Sequence, residues 1–266
     1  MQARCAKWLL VALTGFLAGG CATDHSMPTA EERQALAPTG KLRLAFLANN
    51  AVHASVEPLT GELKGPAIDM GWALARRLGV PFETVTYKTV AEMVGSVSKN
   101  EWDVISIGIN PDRLKLLEFS APYSRIEIGI LVGKNSPVTS IEGLDRPGVR
   151  IAVLERGDSD ILLTPKLRQA TLVRTKTIGE SVELVRSERA DATSALKTFL
   201  IPAAEQVPGS RILDGRITVQ EIALAVPKGN DTASRYVAKF VDQMKADGEV
   251  KASIERARVR GLMAAP

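Results

Sequence analysis

Aromatic side chains make up 5% of this 266-residue chain. So few rings argue against a platform on which nucleic-acid bases stack, and against a sugar cleft lined by rings. Cysteine and histidine are rarer still, two of each: Cys5, Cys21, His25 and His53. The histidines lie far apart and one cysteine falls in a leader, so no Cys/His metal set can form. No carboxylate cluster suggests a metal site either, and no cofactor is expected. The isoelectric point is about 9.1, yet no five like charges follow one another. Acids and bases interleave, as in Arg186-Ser187-Glu188-Arg189, so a nucleic-acid partner is not expected. No nucleophile–base spacing, Ser/His/Asp set or phosphate-binding loop is present. Internal repeats and low-complexity segments are missing too.

What is present starts with a leader. Arg4 and Lys7 precede an apolar run from Trp8 to Phe16, about half of the ~20 residues a bilayer span needs. A basic start, a short apolar core and small residues before a cut describe an export signal over residues 1–20. Leu17-Ala18-Gly19-Gly20-Cys21 resembles the lipobox of bacterial lipoproteins, in which Cys21 becomes the lipidated first residue. The alternative is an ordinary cut near Gly20 or Ala22. A leftover thiol in an oxidising compartment is unusual unless it is used, and lipidation uses it. Ala22 after the cysteine resembles the outer-membrane sorting pattern of Gram-negative lipoproteins. The expected location is therefore periplasmic, on a membrane anchor. Arg4 and Lys7 supply two of the four net positive charges, so the exported chain is closer to neutral.

Residues 21–40 are polar, with Pro28, Pro38 and no periodicity. They read as a tether, with room for a short helix over 30–36. From Lys41 strands and helices alternate. Residues 42–46 alternate as a strand does. A helix over 69–78 places Ile68, Trp72, Ala75 and Leu78 on one face and stops at Gly79, with Pro81 beyond. A strand follows over 82–86. Thr89 and Glu92 form a capping box opening a helix to about residue 99. Residues 103–107 read as a buried strand and 126–132 as another. The pattern then restarts: strand 149–154, helix from the Gly157 turn to about 170, strand 172–174, helix 179–189 and strand 191–195. A strand over 222–226 and helices over 232–247 and 249–260 close the chain. Repeated βαβ units imply an α/β architecture with mostly parallel sheets, and the restart near residue 133 implies two lobes.

The motifs Lys41-Leu42-Arg43, Gly65-Pro66-Ala67-Ile68-Asp69-Met70, Glu101-Trp102-Asp103-Val104, Pro111-Asp112-Arg113, Glu118-Phe119-Ser120-Ala121-Pro122-Tyr123 and Lys245-Ala246-Asp247-Gly248 together resemble the bacterial extracellular solute-binding proteins of family 3. The resemblance covers about residues 41–262 and rests on the order and spacing of the motifs. It implies a two-lobed periplasmic-binding-protein fold of type II, each lobe a mostly parallel sheet flanked by helices. Lobe one would be 41–132 with a return over 225–266. Lobe two would be 133–224, with crossing segments near 132–134 and 223–225. The implied function is the non-enzymatic substrate-binding component of an ABC importer. Its partners would be a small solute bearing a carboxylate and the permease subunits, and the protein is expected to be a monomer.

The resemblance also implies a site. Arg113, in the turn after the Asp103 strand, would grip the solute carboxylate, since a guanidinium matches a carboxylate with two parallel hydrogen bonds. Read locally instead, Asn110 caps a short helix, Pro111 takes its first position and Arg113 is solvated. Gly108 and Asn110 stand where the family carries hydroxyls, which shifts solute contacts to backbone N–H groups. In lobe two, Gly157-Asp158-Ser159-Asp160 opens a helix whose start the family uses for the same carboxylate. Ser159 remains available to the solute, while Asp158 caps the helix well but repels an anion. After the strand 191–195 the family usually carries an acid for the ammonium group. This chain has Leu196, then Lys197. Either Asp158 takes over the ammonium, or the solute is not an α-amino acid; the second is the expectation. Lys197 is read as the holder of a second anionic group or as a solvated helix residue. Asn49, Asn50 and His53 follow the first strand, where solute-facing residues sit. Tyr123 is read equally as core or cleft, Trp72 and Trp102 as core or interlobe packing, and Asp69 as a helix-start carboxylate.

Two rival readings share the fold. One is an enzyme of the cyclic-acid dehydratase kind, with Asp158 or Glu155 as a cleft acid. The other is a sensor lipoprotein without a transport role.

Overall fold

The structure is a computed structural model and describes residues 27–48, 50–57 and 59–266. The leader, Cys21, His25 and Asn49 lie outside them. In chain order the elements of the first half are α1 (Ala30–Leu36), β1 (Leu42–Leu47), β2 (Ser55–Val56), β3 (Leu63–Lys64), α2 (Pro66–Leu78), β4 (Phe82–Tyr87), α3 (Val90–Gly95), β5 (Val104–Gly108), a 3-10 turn (Arg113–Lys115), β6 (Leu117–Phe119) and β7 (Ser124–Val132). The second half has β8 (Arg150–Leu154), α4 (Asp158–Leu163), β9 (Thr171–Thr175), α5 (Ile178–Arg186), β10 (Ala192–Leu196), α6 (Lys197–Gln206), β11 (Arg211–Ile212), β12 (Thr218–Pro227), α7 (Asp231–Ala246), α8 (Glu249–Ala257) and β13 (Leu262–Ala264).

Alternation along β1 explains the first core. Leu42, Leu44 and Phe46 face the helical layer and pack with Leu74 and Leu78 of α2 and Phe240 of α7. Ala45 points the other way and joins Ile105, Ile107, Met93 and Trp102. Full burial of a side chain such as Phe46 contributes about 1.5–3 kcal/mol. The buried Trp102 indole N–H is satisfied by Ser96 Oγ at 2.8 Å. The second core follows the same logic. Ile151 and Val153 of β8 pack with Ile130, Val132 and Leu163, while Ala152 faces Val185 of α5.

The sheets are built alike. β1 pairs in parallel with β4 and β5, and β12 runs antiparallel beside β5. In the second lobe β8 pairs in parallel with β9 and β10, and β7 runs antiparallel beside β10. β7 and β12 pair with each other over Ser124–Ile128 and Thr218–Ile222. One sheet, ordered β4-β1-β5-β12-β7-β10-β8-β9, therefore runs through both lobes. β7 leaves the first core at Ile126 and enters the second at Ile130. The crossings thus fall ahead of the expected 132–134 and 223–225. No loop or change of composition marks them, because each strand continues unbroken through its crossing.

A repeat that the residue pattern does not disclose joins the lobes in design. Arg43, early in β1, donates its backbone N–H and guanidinium to Asp103, just before β5, at 2.7–3.1 Å. Arg150, at the start of β8, does the same to Asp191, just before β10, at 2.8–3.1 Å. Burial pushes the Asp191 carboxyl up, but the bonds from Arg150 outweigh it and hold the group below the usual carboxylate range. Thr89 and Thr177 each cap the helix that follows the edge strand of their lobe, β4 and β9.

Several expectations need correction. Residues 29–40 are not a tether. Thr29 and Glu32 close a capping box on α1, and Leu36 is 0% exposed in the first core. Asn230 Nδ2 also donates to the Ala35 carbonyl at 3.1 Å. Trp72 is 51% exposed, its ring 5.0 Å from Phe82, so the indole covers a core ring from outside. The helix after Gly157 ends at Leu163, because Pro165 has no N–H to carry the helical hydrogen bonds onward. The helix opened by Thr89 ends at Gly95. We expect Leu36→Ala to lower unfolding free energy by about 2–5 kcal/mol, read from urea midpoints at unchanged slope. A loss below ~0.5 kcal/mol would show α1 to be dispensable to the lobe.

Candidate functional site

Where the two lobes meet, an inner cavity of about 90 Å³ is lined by Leu47, Asn50, Val90 and Arg113 of the first lobe and by Ile128 of β7. Across from them stand Leu154, Asp158, Ser159, Ile178, Ser194, Leu196 and Phe199. That is several times the ~10–15 Å³ one water molecule needs. The walls are mostly aliphatic, with a few polar groups at one side.

Those polar groups centre on Arg113. Asn110 Oδ1 accepts the Arg113 backbone N–H at 2.9 Å, but the 3-10 turn starts at Arg113 with Asp112 before it and Pro111 outside it, so of the local reading only the Asn110 bond holds. The solvated reading does not, since the Arg113 side chain is 5% exposed. Its Nη1 donates to the Gly108 carbonyl at 2.8 Å and meets Asp158 Oδ1 at 3.0 Å. Both contacts run through Nη1, so the guanidinium fork keeps donors for a two-pronged partner. Asn110 Nδ2 adds a 3.3 Å bond to the same Asp158 oxygen. An ion pair thus bridges the lobes, from the turn after β5 to the start of α4. Asp158 is not the N-cap: Gly157 takes that position, which frees the Asp158 carboxylate to face Arg113. Beside it Ser194 Oγ donates to Ser159 Oγ at 3.0 Å, leaving the Ser159 proton available.

Gly108 contributes by having no side chain. A Cβ there would come within 2.5 Å of Gln220 Nε2 and 3.0 Å of Arg113 Nη1. Its carbonyl rather than its N–H serves the site, by orienting Arg113. Gln220, on the crossing strand β12, donates to the carbonyls of Ile109 at 2.9 Å and Glu221 at 3.0 Å. Sequence reasoning missed Gln220, Ser194 and the apolar wall. A polar residue buried within a crossing strand was the available signal for Gln220; nothing local marks the wall.

Other expected residues lie elsewhere. Asn50 lines the cavity, with its Oδ1 accepting the Val52 N–H at 3.1 Å. Tyr123 is fully buried, and burial pushes its phenol up. Its hydroxyl meets Ser106 Oγ at 2.7 Å, and Ser106 meets His53 Nδ1 at 2.8 Å. This buried chain stands in the core instead of the cleft. Burial and then the Arg113 charge push the His53 imidazole down to about 3. Lys197 is neither solvated nor free for an anion: it pairs with Glu127 at 2.7 Å, which also pairs with Arg216 at 2.8 Å. The Lys197 bond and then that of Arg216 hold the Glu127 carboxyl below the usual range. Asp69 stands in the first turn of α2, as the helix-start reading has it, and accepts from Ser253 and Arg256. Glu155 is exposed. Among the described residues no group of three His, Cys, Asp or Glu could hold a metal ion.

Comparison with known proteins agrees with this architecture. The model of the bacterial extracellular solute-binding proteins, family 3, matches residues 46–257, and the chain belongs to that family. It is 24% identical over 198 residues to the ABC transporter glutamine-binding protein GlnH of Bacillus subtilis (strain 168), covering 72% of this chain and 71% of the relative. Among solved structures it resembles the solute receptor for L-cysteine of Neisseria gonorrhoeae, with a TM-score of 0.74 and 23% identity over 86% of this chain and 94% of that one. It also resembles an ancestral amino acid-binding protein, a precursor of cyclohexadienyl dehydratase, with a TM-score of 0.72 and 26% identity over 84% of this chain and 98% of that one. The fold is therefore the two-lobed type II fold.

The buried His53 makes stability depend on pH. Its proton leaves at about 3 in the folded protein, against an ordinary value of 6.5. Between those values the unfolded chain binds a proton the folded chain does not, so stability rises with pH and is lost as pH falls below 6.5. From pH 7 to pH 5 the urea midpoint should drop, and His53→Gln should flatten that drop. Equal slopes in both proteins would show that His53 takes its proton without unfolding.

Proposed function

We propose that this chain is the solute-capturing component of an ABC importer, and that it grips the carboxylate of a small solute through Arg113. One observation carries the reading. Within the cleft the nearly buried Arg113 already holds a carboxylate, that of Asp158 from the opposite lobe, at 3.0 Å. A group placed to bind one carboxylate at that distance binds another of the same geometry. A solute that enters between separated lobes takes the place of Asp158 on the Arg113 fork, with the Ser159 hydroxyl beside it. The lobes then close on it by bending at β7 and β12, a hinge closure. The polar groups fix orientation, and the aliphatic wall supplies most of the buried surface.

Family membership places the protein outside the cytoplasm. Among the described residues no helix is long and apolar enough to cross a membrane. Attachment would come instead through a lipid on Cys21, once the export signal over residues 1–20 is removed, with permease subunits as the docking partners. The curated relatives bear the names of binding proteins. Kinship with a dehydratase precursor keeps the enzyme reading open to a turnover assay with cyclic carboxylic acids.

Removal of the clamp tests the proposal. Arg113→Ala should cost about 2–5 kcal/mol of solute binding, as for other buried charge partners, or roughly thirtyfold to several-thousandfold in Kd. Calorimetry reads the loss, and an unchanged far-ultraviolet spectrum confirms the fold. Retained affinity would remove Arg113 from the site. The anchor is tested separately: wild-type protein should partition into detergent with a lipid-modified Cys21, and Cys21→Ser should not. Mass spectrometry finding an unmodified N-terminus beyond Cys21 would overturn the anchor.

A further inference from the structure

We propose that the first lobe lies on an anionic phospholipid surface with the face that exposes Met27, Arg33, Trp72 and Arg76, and that the anchor on Cys21 holds it in that orientation. The part played by the anchor rests on the reading of Cys21 as lipidated. The charge and the apolar character of the face do not.

Two adjoining recesses make up this face, and Arg76 near the end of α2 lines both. The first gathers Arg33, Arg76 and Arg77 around Met27, and among the described residues no acid lines it. The second adds Trp72 and Arg256, with Asp69 and Glu249 as its acids. Asp69 is already engaged, accepting from Ser253 Oγ at 2.6 Å and from Arg256 at 2.9 Å. The acids of α1 are engaged too: Glu32 accepts the Thr29 N–H at 2.7 Å and Glu31 accepts from Thr232 at 2.9 Å. Arg33, Arg76 and Arg77 are thus set against Glu249, an excess of positive charge. Met27 is 79% and Trp72 51% exposed beside them. An exposed indole and thioether among guanidinium groups suit the headgroup level of a bilayer, where the apolar groups enter the interface and the cations meet phosphate.

The path of the chain favours lipid over an acidic protein partner. α1 is fixed to its lobe by Leu36 in the first core and by the bond from Asn230 to the Ala35 carbonyl at 3.1 Å. Met27, the first described residue, therefore stands in the basic recess itself. Cys21 precedes it by six residues, a reach of about 20 Å at full extension. A lobe of this size is ~30 Å across. An anchored lobe cannot turn its far side to the bilayer on so short a lead, and the face around Met27 stays among the headgroups. Neither recess shares a residue with the cleft lining, so the cleft is left open to solute.

Trp72 supplies the readout. Once the leader with Trp8 is gone, the chain holds Trp72 and the buried Trp102. The lipidated chain is reconstituted into phosphatidylglycerol vesicles and into phosphatidylcholine vesicles, each with a brominated phospholipid as quencher. Trp72 emission should be quenched in the first and far less in the second. Raising the salt from about 0.1 to 1 M, which shortens screening from ~10 to ~3 Å, should relieve the quenching, as should Arg33→Gln with Arg76→Gln. Arg168→Gln with Arg189→Gln, exposed arginines of the second lobe, should not. In a second arm the chain from Ala22 onward, which keeps both cores, is sedimented with the same vesicles. Its partition onto phosphatidylglycerol should fall roughly fivefold for each of Arg33 and Arg76 removed, with thermal midpoints showing folded variants. Lipid-modified Cys21 with Trp72 quenched equally in both vesicles, or unmoved by the Arg33 and Arg76 changes, leaves the anchor standing and overturns the face. Unmodified Cys21 overturns the anchor, and the sedimentation arm then judges the face alone: pelleting no greater with phosphatidylglycerol than with phosphatidylcholine overturns it.

Discussion

Around residues 126–130 and 218–222 a single sheet has to serve two hydrophobic cores. β7 and β12 do so as an antiparallel pair, each contributing apolar residues to one core before the crossing and joining the other lobe after it. Because the cores form separate clusters, a bend in the strands between them would leave the packing of each lobe in place. The Glu127 carboxylate, held by Lys197 and Arg216, ties β7 to α6 and to the chain entering β12 at this point. The cleft exists because the sheet continues where the helical layers do not.

On either side of that pair the chain uses one plan twice. A parallel three-strand unit has its first strand bound to the residue before its third by an Arg–Asp contact, Arg43 with Asp103 and Arg150 with Asp191. The contact fixes register, since a slip by one residue would turn the strand's apolar set outward. A threonine cap then sets the start of the helix after the second strand. The ends of the strands and helices so positioned deliver Arg113, Asp158 and Ser194 to the interface between lobes. The pairing of Arg113 with Asp158 is thus a product of two independently built halves.

Local signals were legible in the sequence. The alternation of β1, the Thr89–Glu92 box and the stop at Gly79 each act over a few residues, and each appears where the pattern placed it. Arg113 and Ser159 were legible through the motifs around them. What stayed hidden depends on distance. Asp158 reads as a helix cap until the fold brings it to Arg113. Leu36 reads as part of a polar segment until α7 covers it. Trp72 has the spacing of a core residue, yet half of it faces water, because Phe82 already fills the space beneath. Lys197 reads as a free cation because nothing near it in sequence reveals Glu127. The crossing points leave no trace in composition, since an unbroken strand looks the same on both sides of a hinge.

The crowding at Gly108 bears on how such a site can acquire a new preference. Any larger residue at that position collides with Gln220 and Arg113 together, so the first lobe has little freedom to vary near its charged group. The apolar lining is different: Leu47 and Val90 of the first lobe, like Leu154, Ile178, Leu196 and Phe199 of the second, meet the cavity with side chains that other apolar residues can replace at modest cost. Diversification is therefore channelled away from the charged end of the cavity, and a change in the cavity's shape leaves the surroundings of Arg113 as they are.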